Sequence, residues 1–393
     1  MKYEFRKIIK YKVIWIIYVI TIVLSLYNSL TNTHNDIEGA KEQKIIYDKY
    51  MHLPQGDDIK AMLEADYSEY LNDKATKPLT NGIDINESVY LELINKVNYF
   101  DDVKEYRNNV VNASEYLMKY SDNYISRLNA KLYHQYNKDL SFYLFEDKYL
   151  QRAILLQTSY LSVIMLLGIC TIAIYAFYID RKNNITILMY TSKNGRTKTY
   201  INKLKTIFAL IIILQIITAI ISLIPQFVLG DLNDFFQPIQ SSEQFMYSPY
   251  NMNYLELLLI VVLMNITACL IISTIAIISI IAIKNVIVPL IISLIISASL
   301  FMSYMLVVSH TSISYGAQLT ALHSDFWLFN LCKKYSIIFY LFNSSVYFEF
   351  SEQVNILNFP ISRLVMTMGL NIIILVIMII VGLKLYTKKP RRI

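Results

Sequence analysis

The sequence predicts an all-α polytopic membrane protein: six transmembrane helices, with a mainly helical extracellular domain between the first and second. Three observations predict it. First, 55% of the 393 residues are apolar and the mean hydropathy is +0.40, far above a soluble chain of this size. Second, the apolar residues are bunched into six windows without Asp, Glu, Lys or Arg. Each comes close to the roughly 20 residues that cross about 30 Å of hydrocarbon as a helix. Third, the basic residues are sorted. Segments 1–12, 180–205, 284–285 and 384–393 hold half of the 36 Lys and Arg but only two acids, Glu4 and Asp180. Lys and Arg near span ends stay on the cytoplasmic side, so both termini are expected in the cytoplasm.

In chain order, residues 1–12 (MKYEFRKIIKYK) read as an amphipathic cytoplasmic helix, with Phe5, Ile8 and Ile9 on one side. Residues 13–30 form the first span. The basic start would suit a secretory signal, but its apolar part is long and SLYNSLTN offers no small-residue cleavage site, so it reads as an uncleaved anchor. Residues 31–150 carry 21 acids against 14 bases and are long enough to fold as an extracellular domain. Val89, Leu93, Val97 and Phe100, and later Tyr116, Tyr120, Tyr124 and Leu128, recur at helical steps and read as core stripes with tyrosine tips in water. LTNGIDIN (79–86) divides the domain.

The second span is placed at 153–179, the cytoplasmic loop at 180–205, and the third span at 206–229. Loop 231–256 has four acids and no base, which places it outside. Spans follow at 255–283, 286–308 and 364–386, with 387–393 as a cytoplasmic tail. In segment 309–363, Lys333 and Lys334 leave an uncharged run too short to cross. It reads as extracellular helices at the membrane surface or dipping into it.

Several chemistries lack residues. No G-x-x-x-x-G-K-[ST] phosphate loop occurs, no Ser/His/Asp set or carboxylate pair sits at a membrane face, and the three Cys and five His show no metal-ligand spacing. The chain is therefore expected to be no enzyme and to bind no cofactor, metal or nucleic acid. No charged residue lies in the middle of a span, which argues against ion-coupled transport. Gln215, Asn265 and Asn371 remain there, either joining helices or lining a translocation path.

The 180–205 loop, DRKNNITILMYTSKNGRTKTYINKLK, has seven bases, yet ILMY (187–190) is apolar or aromatic. Ile185, Leu188 and Met189 fall on one face of a short helix, and Gly195 reads as its stop. Lipid headgroups explain the bases but not the apolar strip; a protein groove explains both.

This loop resembles the one between the second and third spans of ABC-2 type transporter permeases: Asp180 at the span end, ILMY, Thr191-Ser192, Asn194-Gly195, Arg196, and Lys203 entering the next span. The amphipathic start, the outer domain and the span layout agree. The sequence departs from that pattern in having Asp180 where Glu is commoner and Lys193-Asn194 where Pro is usual. The resemblance implies a bacterial plasma-membrane permease subunit that exports a peptide, lipid or drug-like substrate, with a second permease copy or paralogue beside it. A separate cytoplasmic ATPase subunit, carrying the ATP and Mg, would dock on Asp180, Ile185, Ile187, Leu188, Met189, Tyr190, Gly195, Arg196 and Lys203. The alternative is a non-transporting membrane sensor or immunity protein that binds an extracellular peptide through residues 31–150.

Overall fold

The computed structural model describes residues 2–10, 12–50, 57–75, 85–137, 144, 148–157, 160–182, 195–245, 248, 250–283, 285–295, 298, 348, 353–356 and 359–388. Most of them are helical. In order come α1 (Lys2–Ile9), α2 (Lys12–Tyr50), α3 (Asp57–Ala75), α4 (Ile85–Tyr120), α5 (Tyr124–Asn137), α6 (Lys148–Gln157), α7 (Tyr160–Lys182), α8 (Gly195–Ser222), α9 (Ile224–Leu229), α10 (Tyr254–Ala282) and α11 (Arg363–Thr387).

Among the described residues, four helical stretches are long and apolar enough to cross a membrane: Ile14–Thr31, Gly195–Leu229, Tyr254–Ala282 and Leu364–Thr387. Six were expected, and these four are the ones that the described residues show. The window at 153–179 is divided between α6 and α7, and the described apolar part of α7, Met165–Asp180, is short. Of the window at 286–308, residues 287–295 are helical, and most of the remainder lies outside the described residues.

Helix α2 continues past its apolar stretch without a break, 39 residues in all. At 1.5 Å per residue that is about 58 Å, nearly twice the hydrocarbon thickness. The span and the following domain therefore share one helix, and no boundary falls at residue 31. The far end of α2 enters the domain core: Tyr47 and Tyr50 join Ile59 and Leu63 of α3 and Val89, Leu93, Val97, Phe100 and Val103 of α4. The predicted stripe on α4 is thus core. The second stripe is not. Helix α4 ends at Tyr120, α5 starts at Tyr124, and Tyr116, Tyr120 and Tyr124 are each more than half exposed. The change of direction between the helices breaks the three-and-four spacing on which that stripe depended.

Helix α7 is apolar all round and buried from Met165 to Ile179, apart from partly covered Leu167, Thr171, Tyr175 and Tyr178. Helix α10 packs against α7, α8 and α11, and half of its apolar stretch is covered. For α11 the covered share is 17%, leaving Ile373, Ile377 and Ile380 outward. A helix covered on every side is central, whereas one apolar yet bare faces lipid or another subunit.

The stretch predicted as the third span, 206–229, is interrupted at Leu223. Pro225 has no N–H to give to the carbonyl of Ile221, four residues back. The hydroxyl of Ser29 on α2 donates to that carbonyl instead, at 2.9 Å. The proline break thus becomes an attachment point between helices.

Segment 309–363 was expected to be a loop with helices at the membrane surface or dipping into it, and the uncharged run behind that reading lies almost wholly outside the described residues. The end of the segment forms an antiparallel hairpin, β1 (Gln353–Ile356) and β2 (Phe359–Ser362), in which Val354 pairs with Ile361 and Asn355 with Pro360. Both strands alternate in residue character, the period of two that favours a strand. Pro360 is tolerated because each strand of a two-stranded sheet has a free edge. Ser362 then caps α11, accepting from Val365 N at 3.3 Å. Residues 301–347 lie outside the described residues.

Candidate functional site

The basic segments that predict topology converge at one end of the helix bundle. Asp180 sits in the last turn of α7 and Lys203 in the third turn of α8, and both side chains are 1% exposed. They form an ion pair, and Lys7 of α1 pairs with the same carboxylate. Lys203 Nζ also donates to Ala176 O at 2.7 Å and lies 4.9 Å from the centroid of the Phe177 ring. Glu4, on the same side of α1 as Ile8, is also buried and acts electrostatically on Lys203. Two acids and two lysines are thus drawn from three helices into one neutral cluster. A buried charge is tolerated only when it is paired and hydrogen-bonded in this way.

Aromatic rings cover the cluster. Phe177 and Tyr200, each three residues before a charged member, have centroids 5.9 Å apart. Tyr386 of α11 meets both, at 5.8 and 5.6 Å. Tyr200 Oη donates to Ile379 O at 3.3 Å, and Arg196 Nη1 donates to Thr387 O at 2.9 Å. A Cβ on Gly382 would overlap Tyr200 Oη, so only glycine allows this close approach of α11 to α8. Four helices (α1, α7, α8 and α11) are tied at one point.

This geometry revises the predicted docking set. Asp180 and Lys203 turn inward and offer no surface to a partner. Arg196 holds the end of α11. Gly195, expected to stop a short helix, is the first residue of α8, which carries 195–205 into the apolar stretch without interruption. Ile185, Ile187, Leu188, Met189 and Tyr190 lie outside the described residues.

Gln215, Asn265 and Asn371 are all buried in the bundle. Gln215 Nε2 donates to Cys269 Sγ at 3.0 Å, joining α8 to α10, and Asn265 lies one turn before Cys269. Asn371 Nδ2 donates to Thr367 O at 2.8 Å within α11. As placed, Gln215 joins two helices and Asn371 bonds within its own.

Sequence reasoning missed Glu4, Lys7, Phe177, Tyr200, Gly382 and Tyr386. One signal was available: an aromatic residue three positions before each of Asp180 and Lys203. Another was a charge on the apolar side of α1.

The opposite end of the bundle is built differently. Between α9 and α10 the chain makes three short 3-10 turns, at Leu232–Phe236, Ile239–Ser241 and Glu243–Phe245. Gln226 Nε2 donates to Asp231 O at 2.8 Å and to Asp234 Oδ2 at 3.0 Å, and a Cβ on Gly230 would overlap that amide. Gln240, Ser241, Ser242 and Ser248 are fully buried. Gln151 Nε2 donates to Ser242 Oγ at 2.6 Å, and Arg107 Nη2 of α4 donates to Ser248 O at 3.0 Å. Burial pushes the Arg107 guanidinium down to about 10, so it stays charged at neutral pH. This polar crown docks the α4–α5 hairpin on the bundle.

Comparison with protein families, curated proteins and solved structures finds no match for this chain.

Proposed function

We propose that this chain is the permease subunit of an ATP-driven transporter of the ABC-2 type. It crosses the bacterial plasma membrane six times, with both termini inside and residues 31–150 outside. It exports a peptide, lipid or drug-like molecule beside a second permease subunit.

One observation carries the reading. Asp180 and Lys203 bracket the segment that holds the ILMY strip, and they are clamped together with α1 in a buried cluster. A force applied to that segment reaches α7 and α8 directly. Through Tyr200 and Arg196 it reaches α11. A chain without a phosphate loop needs such an input from an ATPase that holds the ATP and Mg. The strip supplies apolar side chains for that contact.

Purification with the native neighbouring gene products tests the proposal: an ATPase subunit is expected to come with the wild-type chain. Leu188→Asp would set a carboxylate in an apolar groove, at about several kcal/mol. That variant is expected to lose the ATPase and transport together. Recovery of no ATPase, or a variant that keeps both properties, would overturn it.

Tyr116, Tyr120 and Tyr124, bare at the tip of the outer hairpin, favour the second reading, a peptide-binding sensor or immunity protein. A chain that protects cells from a peptide without any ATPase would establish that reading instead.

A further inference from the structure

At the basic end every acid of the terminal and loop segments is spent internally. Glu4 and Asp180 are the only acids in 1–12, 180–205 and 384–393, and both are buried. The cations are not spent. Arg6 of α1, Lys10 between α1 and α2, Lys12 of α2, Lys205 of α8, Lys384 in the last turn of α11 and Lys388 just past it are all exposed. The bundle therefore presents a cationic rim with no exposed carboxylate among the described residues of those segments.

What lies beside the cations decides the ligand. On α2, exposed Lys12 is followed by exposed Trp15, Ile16, Val19 and Ile20. On α11, running the other way, Lys388 and Lys384 are preceded by exposed Val381, Ile380 and Ile377. Each helix thus offers a positive charge at its end and a bare apolar face along its length. An acidic protein would match only the charge. A molecule with an anionic head and apolar chains matches both, and Trp15 stands at the boundary where indole rings collect.

We propose that this rim is a binding surface for anionic phospholipids, which occupy it in preference to zwitterionic ones. Their phosphates sit on Lys10, Lys12, Lys384 and Lys388, and their chains lie along α2 and α11. This rests on the membrane-spanning helices alone and holds whether or not an ATPase docks.

Trp15 is a built-in reporter. The Trp327→Phe protein, whose only remaining tryptophan is Trp15, is reconstituted in vesicles of phosphatidylcholine and phosphatidylglycerol. Brominated chains are placed on one lipid or the other at equal mole fraction. Brominated phosphatidylglycerol is expected to compete for the site near Trp15 about threefold or more over phosphatidylcholine at low salt. That preference is expected to fall toward one in Lys10→Gln/Lys12→Gln, and in the unaltered rim at high salt, where exposed charges are screened. The salt arm needs no substitution in the rim and reads the site even if the double variant folds poorly. Equal quenching by the two lipids, or a preference that neither salt nor the substitutions reduce, would overturn the proposal. So would an acidic protein that protects these lysines from labelling in membranes while the lipid preference stays at one.

Discussion

The two ends of the bundle solve the same problem with opposite chemistry. Both must gather several helices around buried polar groups. At the basic end this is done with charge: Asp180 between Lys7 and Lys203, roofed by Phe177, Tyr200 and Tyr386. At the crown it is done mostly with amides, hydroxyls and backbone: Gln226, Gln240, Ser242 and Ser248, with Arg107 docking onto a carbonyl. A buried ion pair gains little while intact and becomes very unfavourable once one partner is lost. Neutral hydrogen bonds fail more gently. The basic end is therefore the all-or-none joint and the crown the tolerant one.

The most severe test of this contrast is Asp180→Ala. It leaves Lys203 buried without its carboxylate, at about 3–5 kcal/mol. We expect loss of a cooperative melting transition in detergent, with Asp180→Leu/Lys203→Met recovering part of it. Next is Gly382→Ala, whose methyl displaces Tyr200 from α11 at about 1–3 kcal/mol. Adding Tyr200→Phe removes the overlapping hydroxyl and should restore most of the melting temperature. If it does not, the close approach of α8 and α11 is not what ties α11 to the cluster.

At the crown, Gln226→Leu removes two donations, to Asp231 O and Asp234 Oδ2, and is expected to destabilise by about 1–2 kcal/mol. Should it destabilise the bundle as much as Asp180→Ala, the distinction between the two ends fails.

The smallest effect concerns the domain built from the end of α2 with α3 and α4. The Lys49 ammonium pairs with Asp66, and hydrogen bonding to that carboxylate raises its pKa above the ordinary lysine value. A base whose folded pKa is raised contributes fully below its unfolded value. The contribution is lost as pH rises through the folded one, so the window lies above about 10.5. The pair is exposed, so Lys49→Met should cost under about 1 kcal/mol near neutral pH. Proteolysis of the domain is expected to differ little between the two proteins there, and the difference should vanish at the alkaline end.

Much of this architecture was legible. The apolar windows marked α2, α8, α10 and α11, because a run of residues without charge needs no partner to declare itself. The stripe of Val89, Leu93, Val97 and Phe100 was legible because one helix carries it whole. Tyr116, Tyr120 and Tyr124 misled because the helix turns at 121–123, and periodicity does not see a change of axis. Gly195 opens α8, and the short helix that it was expected to stop lies outside the described residues. Of the site, Asp180, Arg196 and Lys203 were found through the loop pattern, but their direction was not. Whether a charge faces water or a buried partner depends on residues far away in sequence, such as Lys7, 173 positions from Asp180.

The sequence by itself determined that this is a membrane protein, where its long apolar helices lie, and which of its segments are basic. All of these follow from local runs of apolar and charged residues. Only the tertiary structure decided that Asp180 and Lys203 turn inward to each other and that Ser29 takes the carbonyl freed by Pro225. It alone decided that α2 runs unbroken from the basic end of the bundle into the core formed with α3 and α4. These outcomes hinge on which distant groups meet in a low-dielectric interior, where a polar atom must find a partner, and sequence spacing does not encode that choice.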